Sequence, residues 1–163
     1  MGFESFRVEL RGGPATHAQA DEAVRQLSHA KPDHEALATP GSTYYTLEDG
    51  MHVIEVEIAA SPLRVSCRFT LCHPPSVDSA LLGLVRELMT CLGMQVRICD
   101  DVPPEHAGDF PAARFAEFAE AASRCISARR AEWVANFGPL QFPARTGEVY
   151  EKVILPRCVP IAD

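Results

Sequence analysis

No apolar run in the 163-residue chain reaches the roughly 18–20 residues that a membrane-spanning helix requires. Basic residues are few: 15 Lys and Arg stand against 22 Asp and Glu, a formal charge of −7. A chain with this balance repels phosphate backbones at long range, so nucleic acid and anionic membranes are poor partners for it. Aromatic residues make up only 7%, with one Trp, and the sole asparagine is Asn136. There is no C-x-x-C or H-x-x-x-H spacing, which leaves a metal without two locally preorganised ligands. No Walker-type loop, dinucleotide fingerprint, paired-carboxylate motif or Ser-His-Asp set can be read along the chain. The start, Met1 to Phe6, runs straight into an alternating strand without a secretory h-region. A cytoplasmic setting is therefore expected.

What is present describes an ordinary folded domain, 47% apolar and 23% charged. A chain of this length fits one domain spanning 1–163, burying about 70% of its unfolded surface without staples. The six cysteines, Cys67, Cys72, Cys91, Cys99, Cys125 and Cys158, fall mostly in apolar periodic segments and read as reduced packing residues.

Phe6, Val8 and Leu10 alternate with Arg7, Glu9 and Arg11, the period of a strand over 3–11 with one buried face. Thr16 and Gln19 form a capping box that opens a helix over about 16–30. Lys31 to Ser42 reads as a loop. Strands follow at 43–47, 51–59 and 63–72, joined by turns at Asp49-Gly50 and Ser61-Pro62. With two-residue loops at both turns, Tyr45 faces Ile54, Ile54 faces Phe69, Val56 faces Cys67 and Ile58 faces Val65. On the other surface Glu55 then meets Arg68, so burial and charge pairing select one register. Ser76 is the expected N-cap of a second helix whose stripe is Val77, Leu81, Leu84, Val85, Leu88 and Leu92, closed by Gly93. A strand over 94–100 comes next. Asp109 is expected to cap a long helix over 109–137, and 138–163 is an extended tail with a short strand at 148–155.

This order makes the chain α+β: a two-layer antiparallel sheet (β-α-β-β-β-α-β) with an extra edge strand and a C-terminal long helix. Right-handed crossovers give the strand order 43–47, 51–59, 63–72, 3–11, 94–100. The topology of 1–102 resembles ferredoxin-like modules, among them amino-acid-sensing domains, metallochaperones, acylphosphatases and RNA-recognition motifs. A likeness of topology does not carry function by itself. The RNA reading lacks stacking rings, since Tyr44 is the lone aromatic on the open face, and the metallochaperone reading lacks a cysteine pair in the first loop.

Three constellations remain. Gly12, Gly13 and Thr16 open a helix whose amides and dipole would hold a small anion or amino acid. Cys72, His73, Cys99 and Asp101 end parallel strands at one rim, where a metal or an activated thiolate would sit. Trp133 with Arg129 and Arg130, together with Tyr44, offers either core packing or partner anchors. His52 is expected to point inward, opposite Leu71. Weighed together, these point to a non-catalytic protein-interaction module, an adaptor, inhibitor or immunity-type protein. It would work through an acidic surface toward a basic partner, or self-associate through the edge strand 43–47, with no cofactor. A sensing domain at residues 12–16 and a Cys/His or metal-dependent enzyme at the rim are the alternatives.

Overall fold

Alternation of apolar and charged residues makes β1 (Ser5–Arg11) a one-sided strand, with Phe6, Val8 and Leu10 fully buried. The structure is a computed structural model and describes residues 4–34, 39–100 and 102–158. Thr16 and Gln19 close the expected capping box on α1 (His17–Arg25), with Thr16 Oγ1 accepting from Gln19 N and Gln19 Oε1 accepting from Thr16 N. The helix stops five residues short of its expected end, because the chain turns back through His29 at a positive φ of 65°. It then forms β2 (Ala30–Pro32), in a segment that reads as loop. Three residues ending in proline carry no alternation from which a strand can be recognised.

The meander is β3 (Ser42–Glu48), β4 (Val53–Ala59) and β5 (Arg64–Thr70). Between β4 and β5 the register is the expected one, with Val56 opposite Cys67, Ile58 opposite Val65 and Glu55 opposite Arg68. Between β3 and β4 it is displaced by two residues: Tyr45 faces Val56, and Leu47 faces Ile54. The cause is the turn. Asp49 to His52 form a four-residue loop in which the Asp49 carboxylate accepts from Met51 N (2.9 Å) and His52 N (2.7 Å). These bonds favour the longer turn over a two-residue Asp-Gly one. A shift of two preserves the pleat, so every apolar residue keeps its face.

α2 (Val77–Leu92) buries Val77, Leu81, Leu84, Val85, Leu88 and Leu92, each worth about 1.5–3 kcal/mol, and Gly93 closes it in the left-handed conformation. Ser76 makes no capping bond, because its backbone is helical (φ −60°, ψ −19°) where a cap is extended; its hydroxyl lies against His52 instead. β6 (Gln95–Ile98) completes a six-stranded antiparallel sheet of order β2-β3-β4-β5-β1-β6. The five expected strands stand in the expected sequence, and the α+β class holds.

The departures are at the margins. Strand 43–47 is not an edge, because β2 pairs with it at Tyr45, Thr46 and Leu47, and Asp33 N donates to Tyr44 O (2.8 Å). On the opposite margin Val96 and Phe110 exchange both backbone hydrogen bonds (3.0 and 2.7 Å). Strand addition along 43–47 therefore has no template, and self-association by that route loses its basis.

Asp109 does not cap a helix. It grips Arg11 (2.9 and 3.0 Å) and Arg97 (2.9 Å) across β1 and β6, and the Arg11 hydrogen bond leads in holding its carboxyl below the usual range. α3 (Phe115–Phe137) begins after a short 3-10 turn at Ala112–Arg114. Phe118, Ala122, Ile126 and Trp133 form its buried stripe against α2 and β6. The tail is helical where a strand is expected: α4 (Thr146–Val149) continues through a π turn (Tyr150–Ile154) into Leu155–Cys158. Val149 and Val153 are four apart, a spacing that serves a helix, and Val149 is fully buried. Phe142 N donates to Cys72 O (2.9 Å), and Thr146 N donates to Glu55 Oε2 (3.1 Å). The tail thereby covers part of the polar face across β3, β4 and β5, where Thr46 and Thr70 are buried.

Candidate functional site

The Gly12-Gly13-Pro14 loop is exposed, and within it Gly13 packs against the end of α2 while Gly12 faces open space. Gly13 has a φ of +79°, and a Cβ there would lie 2.4 Å from the Gly93 carbonyl oxygen. Its glycine is required by close approach of two backbones, the loop before α1 and the end of α2. Thr16 spends both its amide and its hydroxyl in the capping box. Of the three residues expected to form an anion cradle, Gly12, Gly13 and Thr16, Gly13 thus serves a backbone joint and Thr16 a helix cap.

Beside that joint lies an open groove of about 810 Å³ between α1 and α2. Pro14, Ala15, Ala18 and Ala23 line it with small apolar surface, while Glu22 of α1 and Glu87 of α2 bring carboxylates from its two sides. Glu22 is held by Arg25 and by Gln26 (2.6 Å). Glu87 is exposed and makes no hydrogen bond or ion pair among the described residues. Cys91, also in the lining, is the exposed thiol among the five described cysteines, none of which is in a disulfide.

The Cys/His rim resolves into packing. Cys72 is buried, with its thiol 3.1 Å from Thr70 Oγ1, and burial pushes it up. Cys99 is also pushed up by burial, against the pull of Arg7. Neither is an activated thiolate. Among the described residues no group of three His, Cys, Asp or Glu comes together as metal ligands, and Asp101 lies outside them. His73, rather than His52, is the buried imidazole. Its Nε2 accepts from Val53 N (2.9 Å), and Nδ1 lies 3.0 Å from Thr70 O, a pattern satisfied by the neutral ring with the proton on Nδ1.

Burial pushes the His73 pKa below its ordinary 6.5, against the Thr70 hydrogen bond and with help from neighbouring His52. An unfolded chain takes up this proton near 6.5 and the folded one does not, so the stability is complete above that pH. It declines as pH falls toward the folded value, by at most about 1.4 kcal/mol per pH unit. In a histidine NMR titration the His73 ring is expected to keep neutral-form shifts through pH 6.5. A His73 resonance half-titrated at or above that pH would contradict the assignment.

Trp133 is fully buried and stacked on Phe137, with centroids 4.3 Å apart, so it belongs to the core and not to a partner-facing surface. Arg129 pairs with Asp100, and Arg130 grips both oxygens of Asp78 (2.6 and 3.1 Å), locking α3 to the first turn of α2. Tyr44 remains on the sheet's polar face, its hydroxyl donating to Glu57 (3.2 Å).

A constellation the linear sequence does not disclose sits where the β3–β4 turn meets α2. Asp49 Oδ2 lies 2.9 Å from His52 Nδ1, and His52 Nε2 lies 2.7 Å from the exposed Ser76 Oγ. Burial works against the Asp49 charge, but bonds from Met51 N and from the ring and amide of His52 outweigh it and hold the carboxyl down to about 2. The only sequence signal is Asp49 and His52 three apart in one turn. Ser76 is 24 residues further on, brought in by the docking of α2. Among the described residues no helix is long and apolar enough to cross a membrane. Comparison with protein-family models, with curated proteins and with solved structures finds no match.

Proposed function

We propose that this protein is a binding module that receives a basic segment of a protein partner in the groove between α1 and α2. One observation carries the reading: the 810 Å³ groove is lined by small apolar residues and flanked by Glu22 and by Glu87, which is exposed and unpaired among the described residues. Small side chains allow a partner backbone or side-chain stem to approach closely. The exposed carboxylate then gains most from an arriving cation, because it has no partner among the described residues to lose. The overall charge of −7 adds long-range steering toward the same class of partner. The unpaired thiols of the described cysteines fit a reducing, cytoplasmic setting for this encounter.

A fluorescent Lys/Ala helical peptide provides the probe, with a Glu/Ala peptide of equal length as control. The basic peptide is expected to bind, to shift amide resonances at 14–26 and 87–93, and to weaken as salt is raised. Glu87→Lys is expected to reduce its affinity about tenfold, since reversing a charge at a partly desolvated contact changes binding by about 1–2 kcal/mol. Alkylation of Cys91 with N-ethylmaleimide should have a similar effect by filling the groove. Equal binding of the two peptides, or an unchanged affinity in Glu87→Lys, rejects this assignment.

A further inference from the structure

We propose that Ser76 is an activated nucleophile for acyl esters, with His52 as its general base and Asp49 as the group that orients His52. The two hydrogen-bond distances, 2.7 Å for Ser76 Oγ to His52 Nε2 and 2.9 Å for His52 Nδ1 to Asp49 Oδ2, put nucleophile, base and carboxylate in a single relay. With Asp49 ionised, its oxygen accepts the Nδ1 proton, which leaves the Nε2 lone pair aimed at the serine hydroxyl.

The relay is held at its two ends, by the turn that carries His52 and by the first turn of α2. The His52 amide donates to Asp49 (2.7 Å), and the next amide, Val53 N, donates to the buried His73 ring (2.9 Å). That bond ties the end of the turn carrying His52 to the buried His73 ring. Ser76 stands between Pro75 and the first turn of α2, which the two-pronged Arg130–Asp78 pair anchors. Rigid support of this kind is what a nucleophile–base pair needs, because its bond must be in place before the substrate arrives. In that first turn the Val77 and Asp78 amides are occupied by Pro74 O and Pro75 O, whereas the Ser79 amide finds no backbone acceptor among the described residues. It is therefore available, with the positive end of the helix, to a developing oxyanion.

In the reaction, Ser76 Oγ attacks the ester carbonyl carbon while its proton passes to His52 Nε2. The ester C–O bond breaks, and the alcohol departs with that proton. Water then attacks the acyl-serine, giving up a proton to His52, and the carboxylic acid leaves as Ser76 recovers its hydrogen. Ester and water become acid and alcohol, with no other reactant.

This site is distinct from the groove. Ser76 and Cys91 are 15 residues apart along α2, roughly 22 Å at helical rise, so either site can fail without the other.

The test is covalent labelling of the intact protein with a biotinylated fluorophosphonate, followed by peptide mapping, beside release of nitrophenolate from p-nitrophenyl acetate. Label is expected on Ser76 in the wild type and absent in Ser76→Ala. His52→Gln and Asp49→Asn are expected to label, and to release nitrophenolate, about 10²-fold more slowly, the usual contribution of an oriented base. Wild-type protein without label on Ser76, or a His52→Gln variant that labels at the wild-type rate, overturns the proposal. So does nitrophenolate release that is unchanged in Ser76→Ala.

Discussion

Trp133→Ala is expected to destabilise the free protein by about 3–5 kcal/mol, the range for truncating a large buried aromatic. For a domain of this size that lowers Tm by about 6–20 °C. The indole is fully buried and stacked on Phe137 at 4.3 Å, and it anchors the C-terminal half of α3. The ion pairs Arg129–Asp100 and Arg130–Asp78 hold the same stretch, so the loss reflects a cavity and not an undocked helix. Thermal unfolding followed by circular dichroism measures it. A Trp133→Ala protein that melts within 2 °C of wild type, at most about one kcal/mol on this scale, would return Trp133 to the partner-facing role that its neighbouring arginines suggest in the sequence.

Gly13→Ala is expected to cost about 3 kcal/mol, from two separate causes. A side chain at φ +79° costs roughly 1–2 kcal/mol in backbone strain. Its Cβ would also stand 2.4 Å from the Gly93 carbonyl, so the loop before α1 must move away from the end of α2, an overpacking cost of about 1–3 kcal/mol. Gly12→Ala separates the two. Gly12 has a φ of +73° with nothing within 4 Å of the added carbon, so it carries the strain alone, about 1–2 kcal/mol. Equal urea midpoints for the two variants would show that the close approach has no energetic weight. Because Pro14 and Gly93 both line the groove, the same substitution should also weaken the basic peptide.

The two-residue displacement of β3 against β4 shows how far local pattern reaches. Alternation fixes which face each side chain takes, and a displacement of two leaves that answer unchanged, so the core residues of the meander were legible while the pairing was not. The pairing depended on Asp49, whose carboxylate bonds two amides ahead of it and lengthens the turn. That choice also removed His52 from the strand and delivered it to Ser76. The site therefore escaped sequence reading for the same reason the register did. Asp109 is a similar case: an acid before a helix looks like a cap, yet Arg11 and Arg97 offered it better partners.

From its residues alone, this chain settled what is local: the alternation of β1, the capping box of α1, the stripe and glycine stop of α2, and the class to which they add up. Period and capping act within a few residues, and so they can be read without knowing the neighbours. Tertiary structure decided what needs two distant segments: the covered strand at 43–47, the tail over the polar face, the glycine joint at Gly13, and the meeting of Asp49, His52 and Ser76. Those outcomes turn on which surfaces come within a few ångströms of each other, and side chains far apart in sequence compete for that place only once the sheet and its helices have packed.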